Sequence, residues 1–148
     1  MFWTVVRFGK YEGKTLPEII MKDPDWFFWM LPKLYGKLAK EAEDLARKAR
    51  AIKIPKGKGK KLQVEYQYDI DGRFYGFEFV EASSWQYRWS LRLPHVDLAW
   101  PLRGKEYNKR AGRITIRDFR QLFFGEDKRL TKKRCERFFS NDKNFLCR

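Results

Sequence analysis

Histidine occurs once in this chain, at position 95, and cysteine twice, at 135 and 147. One chain therefore lacks the four side chains that a structural zinc site takes. With so few cysteines, reduced thiols are expected rather than a disulfide framework. Apolar runs are short as well: none approaches the roughly 18 to 20 residues of a membrane span. The most apolar segment, Trp26 to Leu31, follows directly on Asp23 and Asp25. Met1 to Lys10 shows neither a basic start leading into an apolar stretch nor a small-residue cleavage site, so a cytoplasmic protein with no membrane partner is expected.

Signatures of catalysis are also scarce. The carboxylates nearest to a metal-nuclease grouping are Asp69, Asp71, Glu78 and Glu81. Asp71 is explained by a turn and Glu78 by the polar face of a strand, and no E-x-K pairing accompanies them. His95 has no readable partner for general-base work. The P-loop spacing is missing, because Gly9 is followed by Gly13-Lys14-Thr15 one residue too early, and no serine-hydrolase or dinucleotide-binding pattern appears. No catalytic residue, metal or cofactor is expected.

Acidic residues are the last shortage: 19 Asp and Glu stand against 33 Lys and Arg, giving a net charge of +14. A polyanion is the natural partner of such a chain, since each phosphate neutralised by Lys or Arg releases condensed counterions. The charge is segregated. Residues 62 to 102 are net acidic, whereas 53 to 61 and everything beyond 102 are strongly basic. Aromatic residues make up 18% of the chain, enough with the aliphatics to build a core.

Three segments emerge from this pattern: a strand-helix module over 1–52, a basic linker over 53–61, and an antiparallel sheet with a basic helical tail over 62–148. Phe2 to Arg7 reads as a short strand. Thr15 and Glu18 have the spacing of a helix capping box, and Asp23-Pro24 restarts the chain as a second short helix that Pro32 ends or bends. Leu34, Leu38, Ala42, Leu45, Ala49 and Ile52 then recur at helical spacing across 33–52.

Phe8-Gly9-Lys10-Tyr11-Glu12-Gly13-Lys14-Thr15-Leu16-Pro17-Glu18-Ile19, followed by Asp23-Pro24-Asp25-Trp26 and Trp29-Met30-Leu31, resembles the small domain at the C-terminus of exodeoxyribonuclease X-like proteins. The likeness covers residues 7–31 and implies an accessory, nucleic-acid-associated role rather than chemistry. Independently of it, Lys10 and Lys14 flank a glycine-containing turn whose backbone is open to a phosphate. Tyr11 between them either stacks on a base or sugar, or packs on the helix.

In the linker, Lys56-Gly57-Lys58-Gly59-Lys60-Lys61 combines flexibility with charge, and Lys58, Lys60 and Lys61 are candidate phosphate contacts. From Leu62 the period changes to two. Strands over 62–70 and 73–80 joined at Asp71-Gly72, and a third over 85–93, give an antiparallel sheet with one aromatic face. That face is expected to pack under the helix of 33–52 rather than to stack bases, and its excess aromatic surface also suits a homodimer contact. Val96 to Trp100 would add an edge strand.

In the last third, a loop through 103–112 leads to a short strand at 113–116. Helices follow, one capped by Thr115 and ended by Gly125, and one capped by Thr131. Phe119, Leu122, Phe123, Leu130, Phe138 and Phe139 supply their packing. Arg117, Arg120, Lys132, Lys133, Arg134 and Arg137 are left as phosphate contacts. The whole reads as an α+β protein that binds DNA or RNA without catalysing a reaction. The alternative is an accessory or inhibitory protein docking on a nuclease or another nucleic-acid enzyme, in phage defence or counter-defence.

Overall fold

In the computed structural model, residues 3–55, 60–102 and 109–146 are described. Among them the fold is α+β, with five α-helices and a three-stranded antiparallel sheet. Helices α1 (Leu16–Lys22), α2 (Pro24–Met30) and α3 (Gly36–Ala49) come first. Strands β1 (Leu62–Tyr68), β2 (Phe74–Glu81) and β3 (Ser90–Leu93) follow, and α4 (Lys109–Phe123) and α5 (Lys132–Ser140) close the chain.

The helix starts follow from their caps. Glu18 accepts the Thr15 amide at 3.1 Å, which sets the first turn of α1. Asp23 accepts the Trp26 amide at 3.4 Å for α2, and Thr131 accepts the Arg134 amide at 3.2 Å for α5. Pro32 lies in a single 3-10 turn, Leu31–Lys33, that turns the chain from α2 towards α3. The expected N-terminal strand is reduced to one antiparallel bridge, Val5 to Thr15. Among the described residues no second strand runs beside it. Instead the Thr4 amide and hydroxyl both bind Glu41 of α3, at 3.0 and 2.6 Å.

The hairpin forms as the alternation requires, with Tyr66 opposite Phe77 and Val64 opposite Phe79, so that one face is apolar. Asp69 accepts the Asp71 and Arg73 amides, both at 2.9 Å, and so closes the turn. β1 is central, giving the order β2-β1-β3. The third strand is shorter than 85–93 and keeps only its second half. Arg92 gathers the preceding loop instead, donating to the carbonyls of Ser84 and Trp85 at 3.1 and 2.8 Å while it pairs with buried Glu65 at 2.9 Å. Val96 makes a single bridge to Ile52 where an edge strand was expected.

The helix that covers the sheet is α4, not α3. Asp118 of α4 accepts the Phe77 amide at 3.0 Å, and Arg110 donates to the Phe74 carbonyl at 2.8 Å, satisfying polar groups on the outer edge of β2. This arrangement needs Gly76, where a Cβ would lie 2.8 Å from the Asp118 carboxylate. The expected strand at 113–116 is helical, and Thr115 is not a cap. Helix α4 runs unbroken through both, with the Thr115 hydroxyl donating to the Ala111 carbonyl at 2.8 Å.

Gly112, inside this helix, is no breaker. Its bare Cα lets α2 come close, since a Cβ there would stand 2.6 Å from a carboxylate oxygen of Asp25. Gly125, at φ +103°, ends the helical path beyond α4 as the sequence suggested. Phe119, Phe123, Phe138 and Phe139 then build an aromatic core between α4 and α5, with Phe119 stacked on Phe123 at 4.4 Å. Helix α5 returns to α1, where the Thr15 hydroxyl donates to Glu136 at 2.8 Å.

Candidate nucleic-acid interface

The turn at 9–14, the exposed side of α1, the second half of α4 and the start of α5 meet around one cavity of about 710 Å³. Lys14, Lys22, Arg120 and Lys132 project onto it from four chain segments, and Glu18 is the one acid among its described lining. The floor is apolar, made by Ile19, Met21, Ile116 and Leu130. Lys14 stands 3.9 Å from Glu18, and Lys132 stands 3.4 Å from Glu136; these two pairs are largely exposed on the lysine side and hold their cations weakly. Arg120 is fixed more firmly, donating to the carbonyls of Glu126 and Lys128 at 2.8 and 3.2 Å.

A second cavity, of about 660 Å³, opens on the other side of the α4–α5 connection, with Arg134 and Arg137 of α5 at its rim. Lys53 to Pro55 line both this cavity and a shallower cleft that Lys60 borders, so the end of the linker adjoins the α5 cations. Lys60 pairs with Glu81 at 2.8 Å. Lys61 is exposed, and Lys58 lies outside the described residues.

The remaining candidates are placed differently. Lys133 is exposed, with no ion pair among the described residues, and borders neither cavity. Arg117 is turned to the sheet, bonding Asp118 at 3.0 Å and the Tyr75 carbonyl at 3.4 Å. The Tyr11 ring is buried edge-on against Trp26, and its hydroxyl donates to Asp23, so it packs rather than presenting a face to a base. Lys10 pairs with the same carboxylate at 3.4 Å. Lys22, Lys53 and Lys143 were not singled out from the sequence. Lys22 had a readable signal, being the basic residue in the last turn of a capped helix.

Beneath the turn lies a buried carboxyl pair. Burial, and beside it the charge of Asp23, push Asp25 up to about 7. Burial works on Asp23 in the same direction, but hydrogen bonds from Tyr11 and the Trp26 amide, with the Lys10 charge, hold it down at about 2. Neither carboxyl oxygen of Asp25 has a hydrogen-bond partner among the described residues, so burial beside the Asp23 charge favours its neutral form, and the two carboxyls titrate as a pair. Cys135 is a buried thiol, pushed up to about 12 by burial and by Glu18 and Glu136, so it stays protonated. Among the described residues, no three His, Cys, Asp or Glu side chains are grouped to hold a metal ion, and no helix is long and apolar enough to cross a membrane.

In comparisons with known proteins, no family model, no curated protein and no solved structure matches the chain. The likeness of residues 7–31 to the exodeoxyribonuclease X-like module rests on its motif residues alone.

Proposed function

We propose that this chain is a non-catalytic, cytoplasmic protein that binds DNA or RNA through phosphate contacts on the face shared by the 9–14 turn, α1, α4 and α5. The observation that carries the reading is the convergence of Lys14, Lys22, Arg120 and Lys132 on one cavity. Cations from separate segments repel one another, and a polyanion laid across them removes that repulsion while releasing counterions. The first turn of α5 supports the same reading. It holds Lys132, Lys133 and Arg134 and no acid, although the helix dipole there favours negative charge. Such a placement costs stability in the free protein, and a bound phosphate offsets it. The exodeoxyribonuclease X-like motif adds weight, because it comprises the turn and helix that carry Lys14 and Lys22.

Contacts of this kind hold the backbone and leave sequence unread. The test is a binding titration on the triple variant Lys14→Gln, Arg120→Gln, Lys132→Gln. Affinity should fall across all sequences, and the salt slope should flatten by about one for each phosphate that is no longer neutralised. Unchanged affinity and slope would move the site elsewhere.

A protein partner is the second reading, favoured by aromatic surface on the side of the sheet away from α4. Trp85 is 80% exposed on the loop that Arg92 holds, next to the Tyr75, Tyr87 and Trp89 cluster. An accessory role on a nuclease, or pairing with a second copy, would use this patch. Recovery of such a partner after nuclease digestion of the lysate distinguishes it from tethering through nucleic acid.

A further inference from the structure

The second cavity differs from the first in what lies under its cations. Its floor is aromatic, formed by Phe123 and Phe124 at the end of α4 and Phe138 of α5. Its rim carries Lys53, Arg134, Arg137 and Lys143, and none of its described lining is acidic. Arg134 is fixed in place by the Arg129 carbonyl and sits 5.8 Å from the centre of the Phe124 ring. Lys53, Arg137 and Lys143 have no carboxylate partner among the described residues. Two side-chain amides, Asn141 and Asn144, complete the wall.

An occupant that satisfies this site has a flat apolar body and negative charge at its edge. A nucleotide unit has both, and about 660 Å³ lies within the size range of pockets that enclose small ligands. In a duplex the base faces are stacked on their neighbours and closed to the protein, whereas a single strand presents them freely. We infer that this cavity seats one unpaired base while the rim holds the adjoining phosphates, so that the protein prefers single-stranded to duplex nucleic acid. This deepens the proposed function and rests on it.

The experiment uses the full chain and three labelled probes of about 15 nucleotides, within the span of one single-strand binding site. They are oligothymidylate, a duplex of equal length, and an oligomer of abasic spacers that keeps every phosphate and lacks the bases. At one fixed low salt concentration, the thymidylate strand should bind roughly tenfold or more tighter than the abasic strand, and tighter than the duplex. Phe124→Leu keeps an apolar side chain but removes the ring, and should reduce the difference between thymidylate and abasic strands to about twofold or less. Arg137→Gln, on an exposed position, should weaken both strands and preserve their ratio. If wild-type protein binds abasic and thymidylate strands alike, or the duplex as well as either, the inference is overturned while the proposed function stands. If none of the three binds at low salt, and an oligouridylate of the same length does not bind either, both fall. The comparison of probes on wild-type protein decides the matter even should Phe124→Leu fold poorly.

Discussion

Replacing Asp25 with asparagine should change how stability depends on pH. In the folded protein Asp25 releases its proton near pH 7, whereas its ordinary value is 3.8. Across that window the folded state holds a proton that the unfolded chain has lost, so stability falls as pH rises, by a factor of ten in the folding equilibrium for each pH unit. Asp23 acts in the opposite sense and lower down, between its ordinary 3.8 and about 2, where stability rises with pH. The pair is therefore most stabilising near pH 4. Asp25 then costs the protein up to roughly 4 kcal/mol by pH 7. Solvent gives little screening, since Asp25 is 4% exposed. Asparagine is close in size to the aspartic acid and cannot ionise. Urea unfolding of both proteins at about pH 5 and about pH 8 measures the difference, with groups common to the two cancelling. The variant should gain on the wild type as pH rises and be the more stable at the higher value. Parallel stabilities at the two pH values would refute the raised Asp25.

Two further outcomes follow from close packing and from charge. Gly112→Ala drives a methyl group to within 2.6 Å of the Asp25 carboxylate and should destabilise by about 1 to 3 kcal/mol in the same urea assay. Lys133→Gln removes an unpaired cation from the first turn of α5 and should raise stability by about 0.3 to 1 kcal/mol while leaving the shape of the site intact.

Local chemistry made much of this fold readable. The alternation from Leu62 and the Asp71-Gly72 turn marked the hairpin, and Thr15, Asp23 and Thr131 marked three helix starts, because each signal acts within a few residues. The errors arose where distant partners decide. Gly112 and Thr115 looked like the end of a loop and a cap, yet Asp25, far away in the chain, packs on the glycine and makes a continuous α4 the better solution. Both α3 and α4 carry an apolar stripe, and nothing in either stripe says which one the sheet receives. Tyr11 posed the same difficulty: its burial depends on Asp23 and Trp26, which only the fold brings beneath the turn.

The candidate site was legible as residue types but not as a surface. Lys14 was marked by the glycine-containing turn and Arg120 and Lys132 by the basic C-terminal third, but their meeting on one cavity depends on α5 returning to α1. Lys22 and Lys143 each stand beside an aspartate and Lys53 opens the basic linker, and all three gain their place in a site only from the cavities they border. Arg117 shows the converse, a cation in a basic stretch that the sheet edge engages.

The most direct measurement is the affinity of the wild-type protein for a mixed-sequence oligonucleotide as a function of salt. Four cations around the first cavity, each releasing somewhat less than one counterion, predict a slope of log K against log salt of about −3 or steeper, with little change when the sequence is scrambled. No binding at about 50 mM salt, or an affinity indifferent to salt, would contradict the account.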